Sequence, residues 1–589
     1  MISANCWVPR GFASEFPEKY ELDDEEIERI NQMAQLQLED AQQDLEDATE
    51  ENADSDAPSK AAEASKALKS QVDIDDDLKE YDFEHYDDDE KDEEGQKVSF
   101  IPGLSTARFV QEDEGADPYL SLPTDVDQNE DKRDLQIYPT DNLILSGRTE
   151  DDVSYLDVYV YDDGAGAPEG AEEDDKDKLD PDVENGMVRE SNLYVHHDLM
   201  LPSFPLCTEW LNFRPNGTND NNNIGNFAAI GTFDPQIEIW NLDSIDRAFP
   251  DAILGDHSTL DGSLLKKNKK KGKKSAHVTT HHTDAILSLS HNKAHRAVLA
   301  SSSADKTVKL WDLTTCVAAR SMNTIHNGKS VSSIQWHPNL TQAGAGSILL
   351  SGGYDSTVAI SDVRISNESD MVKRWTVNPG EEVENVRWGD QSNDNIFYAG
   401  TDAGVIYGFD IRNEGKKPLW KLQAHDSGIS SLEVNQYVPG MLVTSGMGDK
   451  YVKLWKVPVE SIDKSTIKPS MILSRDLGVG NVLSTSFAGD IEVAGHLVAG
   501  GVTGPLKIWD AFSNKTVRKS FREPLKDLQT LAREQANNNG RASRIARKYN
   551  KDSNEQMFEA DVRENEDKED EEDGGDEEEQ DDDEMEDDE

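Results

Sequence analysis

Cysteine is scarce: Cys6, Cys207 and Cys316 are the only three in 589 residues. Their number is odd and their spacing fits no metal site or disulfide framework, so inert thiols in a reducing compartment are expected. Long apolar runs are missing as well, and the opening residues lack a secretory pattern, so neither a membrane nor an export route is expected. The Asn-Gly-Thr at 216–218 is then an incidental sequon. Positive charge is also short. Lys and Arg number 59 against 119 Asp and Glu, a formal net charge of -60. That excludes a uniformly basic protein coating phosphates, but allows local basic patches and acidic arms. Catalytic signatures are lacking too. Gly328-Lys329-Ser330 echoes a phosphate-binding loop, but the glycine such a loop needs is replaced by Asn323. His196-His197 and His281-His282 are adjacent pairs, which cannot share one helical face around a metal. No nucleophile with its base stands out, so no enzyme, cofactor, metal or small-molecule substrate is expected.

What is present is unevenly distributed. Residues 196–549 hold 40 basic and 37 acidic groups, a net of +3, while the rest hold 19 and 82, a net of -63. A near-neutral body between acidic flanks follows, because such flanks repel themselves and carry too few apolar groups to offset chain entropy. Residues 1–20 carry Trp7, Arg10 and Phe12, which suit either a peptide that docks on a partner or a segment folded back on the body. Over 21–48, Ile27, Ile30, Ala34, Leu38, Ala41, Leu45 and Ala48 recur at three- and four-residue steps, predicting an amphipathic helix with Ile27 and Ile30 as docking candidates. An acidic linker spans 49–134, broken by short apolar islands at 74–86 and 100–104.

From about 135 to 522 a repeat takes over. Its clearest copy, 299–312, runs through small residues to a turn at Asp305 and ends at Trp311-Asp312. Other copies turn at Asp234, Asp355, Asp402 and Asp449, and one has Thr503 at that place. Terminal positions fall at Tyr161, Trp240, Trp311, Ser361, Phe409, Trp455 and Trp509, with later spacings of 46 to 54 residues. Insertions lengthen the first two intervals: an acidic one at 163–190 and a Lys-rich one at 250–280. Trp210, Trp336 and Trp388, upstream of their copies' ends, suit packing between neighbouring sheets. The outer strand of the last sheet is expected at Lys515–Phe521, followed by a helix from Pro524 with Leu525, Leu528, Leu531 and Ala532 on one side.

This pattern resembles the WD40 family, most specifically at 282–312 and 425–456. The resemblance implies an all-β fold, a seven-bladed WD40 β-propeller with acidic, largely disordered N- and C-terminal extensions and a short amphipathic N-terminal helix. It also implies that His282, Asp305 and Trp311, and likewise His425, Asp449 and Trp455, form buried hydrogen-bonded sets. Asp355, Asp402 and Trp509 hold matching positions in their copies. These residues recur with the repeat, as architecture does and an active site does not.

Two basic clusters break the acidity. Lys266, Lys267, Lys269, Lys270, Lys271, Lys273 and Lys274 form one; Arg541, Arg544, Arg547 and Lys548, beside Tyr549, form the other. Both fit RNA phosphate contact, and the first also fits nuclear import. A tail over 550–589 follows, in which 20 of the last 26 residues are acidic. Trp7 to Gly11, Ile74 to Tyr81, Phe233 to Trp240 and Ser543 to Tyr549 further resemble the periodic tryptophan family of WD40 proteins. That resemblance implies a nucleolar scaffold of large ribosomal subunit assembly. Its partners would be the pre-ribosomal particle, pre-rRNA, other assembly factors and ribosomal proteins. The alternative is a chromatin-associated propeller that binds histones.

Overall fold

A strand buried on both faces needs a sheet stacked on either side of it. Phe227–Thr232, Met441–Gly446 and His496–Gly501 are buried at all six positions. Outer strands such as Val317–Met322 alternate between exposed and covered instead. This chain meets the demand by arranging seven four-stranded antiparallel sheets around an axis, a seven-bladed propeller. The computed structural model describes residues 1–20, 135–164, 191–220, 222–255, 277–339, 344–390, 394–413, 416–457, 468–538, 543–549 and 557–559. Residues 1–18 and those from 136 onward form one unit. Of the other unit, 19–135, only residues 19, 20 and 135 are described.

The innermost strands, in blade order, are Ile2–Val8, Pro205–Leu211, Ile286–His291, Val331–Trp336, Val383–Trp388, Ile429–Val434 and Val482–Phe487. Each packs against the next, and Ile2–Val8 meets both the second and the seventh, so the ring closes. All seven carry a register shift after their first residue, as between Ile286 and Ser288 or Val331 and Ser333. A bulge repeated at one level re-aims the strand and adds twist where the blades crowd the axis.

Blade 1 corrects the reading of 1–20 as a docking peptide. Ile2–Val8 pairs with Asn142–Glu150 across more than 130 residues of intervening chain. Ile2 and Val8 are fully buried and Trp7 is 6% exposed. Trp7 Nε1 donates to Ser486 O at 3.1 Å, and its ring meets Tyr161 edge-on. Arg10 Nε donates to Asn142 Oδ1 at 2.7 Å, its guanidinium pairs with Asp163, and its backbone N–H donates to Asp490 Oδ2. Phe12 lies edge-on to Trp210 at 4.7 Å. All three expected docking residues are spent on closing their own ring. The helix expected over 21–48, with Ile27 and Ile30, lies outside the described residues.

Blade 7 holds the second correction. Its outer strand is Met557–Glu559, paired with Lys507–Asp510, rather than Lys515–Phe521. Residues Lys515–Ser520 are helical, capped by Asn514 Oδ1, which accepts from Thr516 N at 2.8 Å. The helix Arg522–Asn538 follows almost without a break, since Leu525 N donates to Phe521 O. Val517, Phe521, Leu525, Leu528 and Ala532, at steps of four, four, three and four, pack into the core shared by blades 6 and 7. That spacing belongs to a helix, and burying it outweighs the strand preference of Thr516 and Val517.

Candidate functional site

Between neighbouring blades, polar groups on the inner strands latch one to the next. Trp336 donates its backbone N–H to Ser290 Oγ and its Nε1–H to Ser290 O, both at 3.1 Å. Trp388 does the same with Gln335 Oε1 and O, at 2.7 and 3.2 Å. Both therefore tie adjacent sheets, as expected. Trp210 instead donates to Asn226 Oδ1 in its own blade and packs on Phe12. Ser3, Ser332 and Ser430 donate to Pro205, Val383 and Val482 carbonyls in the following blade.

The inner strands enclose an axial cavity of about 790 Å³. Its wall mixes charge signs. Arg387 is bound to Glu433 across blades 5 and 6, with Nε and the terminal nitrogen at 3.0 and 2.7 Å from one oxygen. Glu209 accepts from His291 N at 2.9 Å, and burial pushes its carboxyl above the ordinary value. Cys6 and Cys207 border the same space, and burial raises both thiols, Cys6 to about 12, so neither is a ready nucleophile. Among the described residues, no group of three or more His, Cys, Asp or Glu could hold a metal. His196 and His197 share a hydrogen bond between their Nδ1 atoms, and burial lowers His197 to about 3. Gly328-Lys329-Ser330 is a turn: Gly328 has φ 75° and Lys329 N donates to His326 O.

The buried sets account for every polar atom they enclose. Trp311 Nε1 donates to Ser301 Oγ (2.8 Å), Ser301 and His282 Nε2 are 2.7 Å apart, and His282 Nδ1 is 2.8 Å from Asp305. One arrangement satisfies all of them: a neutral imidazole with its proton on Nδ1, donating to the carboxylate and accepting from the serine. Burial lowers His282, which favours that neutral ring. Trp455, Thr444, His425 and Asp449 repeat the chain at 2.9 Å per step. A third set went unread in the sequence. His326 lies 3.0 Å from Asp355 and 2.9 Å from Ser351, but its copy ends in Ser361 instead of tryptophan. Elsewhere the position survives without the set. Asp402 accepts from Glu382 N, while Glu381 takes the histidine's place, accepting from Thr401 and Tyr407 hydroxyls. Trp240 donates to Glu238, whose carboxyl burial raises to about 6. Trp509 is fully buried, and its Nε1 has no hydrogen-bond partner among the described residues.

His291 gives a test of this interior. It is 4% exposed, donates from Nε2 to Arg296 O at 2.8 Å, and burial lowers it to about 4. A depressed folded value means full stabilisation above the unfolded value near 6.5, lost as pH falls toward 4. From pH 7.5 to 5 the native chain should lose about 2 kcal/mol more unfolding free energy than His291→Gln. Urea titrations at the two pH values read this directly; equal losses would contradict it.

Successive antiparallel strands sort the connections by face. Residues 21–134 and 165–190 join first to second and third to fourth strands of blade 1, and 458–467 join third to fourth of blade 6. All leave the described structure at one face. Gly255 and His277, between which 256–276 and its seven lysines run from blade 2 to blade 3, lie at the opposite face, that of the Asp-bearing turns. The flanks of this segment are pinned. Gly255 has φ +83°, and a Cβ there would lie 3.3 Å from the Trp311 ring and 3.2 Å from His281. Lys309 Nζ donates to Val278 O at 2.7 Å. Arg541 lies outside the described residues. Arg544 is only 3% exposed, and its backbone N–H, with those of Ser543's hydroxyl and Ile545, is held by Glu492. Tyr549 donates to Asp510 Oδ2 at 2.7 Å. The structure thus places Arg544 and Tyr549 in packing against blade 7, while Arg547 and Lys548 fall on the short helix Ile545–Lys548.

Comparisons with known proteins agree with this geometry. The WD domain, G-beta repeat family matches at 273–312, 320–362 and 416–456. Periodic tryptophan protein 1 of Saccharomyces cerevisiae is 56% identical over 564 residues, covering 94% of this chain and 95% of that protein. A WD repeat-containing protein of Schizosaccharomyces pombe is 39% identical over 88% of this chain and 91% of its own length. The periodic tryptophan protein 1 homolog of Drosophila melanogaster is 30% identical over 77% and 83%.

Proposed function

The chain belongs to the periodic tryptophan protein 1 family of WD40 proteins, and from that premise we propose that it serves nucleolar assembly of the large ribosomal subunit. In this role it is a non-catalytic scaffold of ribosome biogenesis. It joins precursor particles, contacts pre-rRNA and holds other assembly factors. One observation carries the reading: the likeness to the yeast relative extends through 94% of the chain, flanks included, and so exceeds what a shared ring requires. The architecture supports it. A rigid wheel offers several surfaces, and the basic and acidic segments attached to it can tether RNA and basic proteins at raised local concentration. Ile27 and Ile30 are the residues proposed to dock a partner. Lys266, Lys267, Lys269, Lys270, Lys271, Lys273 and Lys274, with Arg541, Arg547 and Lys548, are those proposed to meet RNA.

Depletion should change pre-rRNA intermediates, and the protein should sediment with large-subunit precursors in an RNase-sensitive manner. Normal pre-rRNA, with release from chromatin by DNase instead, would favour histone binding. Replacing the seven lysines of 266–274 by glutamine should reduce nucleolar retention and RNA crosslinking. Unchanged values for both would remove that segment's proposed role.

A further inference from the structure

The helices that replaced the expected outer strand of blade 7 also create a charged face. Val517, Phe521, Leu525, Leu528, Ala532 and Ala536 are all buried. On the flank of that buried face Lys519, Arg522, Lys526 and Arg533 are exposed, at steps of three, four and seven. At 100° per residue Arg522, Lys526 and Arg533 fall within about a 40° arc of the helix Arg522–Asn538, and Lys519 precedes them on the helix Lys515–Ser520. The acids Glu523, Asp527 and Glu534 gather on a separate strip, about 100° further round and facing away from the buried side. Among the described residues, none of the four cations makes an ion pair. Like charges three and four residues apart disfavour a helix by a few tenths of a kcal/mol each. A chain with 119 acidic residues nonetheless keeps this row free of them.

The row is firmly mounted. Besides the apolar face, Lys456 Nζ donates to Ser520 O and lies over the Phe521 ring at 5.5 Å. Gln529 Nε2 donates to Ile545 O at 3.0 Å. Cations held at fixed intervals suit a ligand whose anions are equally fixed, as the phosphates of a double helix are. A flexible acidic peptide has no need of such order. The exposed row carries no aromatic side chain, so it has nothing to stack on bases.

We propose that Lys519, Arg522, Lys526 and Arg533 form a binding site for the phosphate backbone of double-helical RNA, read without regard to sequence. The site rests on the ribosome-assembly reading above and gives its RNA contact a described, rigid location apart from the Lys-rich segment.

The test is fluorescence anisotropy of a labelled RNA duplex of mixed sequence with the full chain, from 50 to 200 mM KCl. It compares the native chain with K519Q/R522Q/K526Q/R533Q. All four side chains are exposed, so the urea midpoint should stay unchanged. The variant should bind at least tenfold more weakly at low salt, and its slope of log affinity against log salt should flatten by about three. Equal affinity and slope would overturn the site while leaving sedimentation with precursor particles intact. Failure of the native chain to bind any duplex would overturn it too; loss of that sedimentation as well would sink the broader reading. Competition by polyglutamate equal to that by duplex RNA, at matched charge, would assign the row to an acidic peptide, such as residues 560–589, and overturn the proposal.

Discussion

Trp7→Ala should lower the unfolding free energy by about 3–5 kcal/mol, the usual cost of truncating a buried tryptophan. A domain has only about 5–15 kcal/mol in total, so one residue near the start of the chain controls a large share of its stability. The reasons lie in three blades at once. The indole fills space against Tyr161 of blade 1, donates to Ser486 of blade 7, and sits on the strand that contacts blade 2. In urea titration the midpoint should fall with little change in slope. An unchanged midpoint would restore the view of residues 1–20 as a tether for a partner.

His282→Ala is the second large effect. It removes the hub between Trp311, Ser301 and Asp305, leaving a carboxylate whose side chain is 5% exposed without its imidazole. Each buried polar group left unpaired costs about 1–3 kcal/mol, so a total of about 2–4 kcal/mol is expected. Asp402→Asn is the control. That aspartate occupies the same place in the repeat but is exposed and has no histidine, so its loss should cost less than about 1 kcal/mol. Similar costs for the two would show that the hub adds nothing beyond the turn.

The contrast between His282 and Asp402 also explains what the sequence could disclose. A Trp-ended copy with His and Asp at fixed offsets is legible because three residue types must coincide to satisfy one another. The His326 set lacks its tryptophan and escaped notice; searching for the His–Asp pair alone would have found it. Ile2–Val8 was illegible for another reason. A strand is recognised by a nearby partner and the turn between them, and here the partner begins at Asn142. Residues 515–521 were misread because the seven-sheet pattern demanded a strand there. The apolar spacing through Leu528 already favoured a helix, and Asn514 marked its start. The cationic row was hidden by the same error, since its members share a face only on a helix. Arg544 looked like a surface contact from its basic neighbours, and only tertiary packing against Glu492 and blade 7 turns it inward.

Ring closure has a consequence for how the chain is made. Ile2–Val8 leaves the ribosome long before Ser486, yet its fit requires both Asn142–Glu150 and the seventh blade. At about 5–20 residues per second, the roughly 480 residues between take on the order of half a minute to a minute and a half to emerge. For that interval a strand with fully buried-to-be Ile2 and Val8 waits without its neighbours. A nascent chain with such an early, apolar and idle segment should depend on a chaperone that covers it until the last sheet arrives.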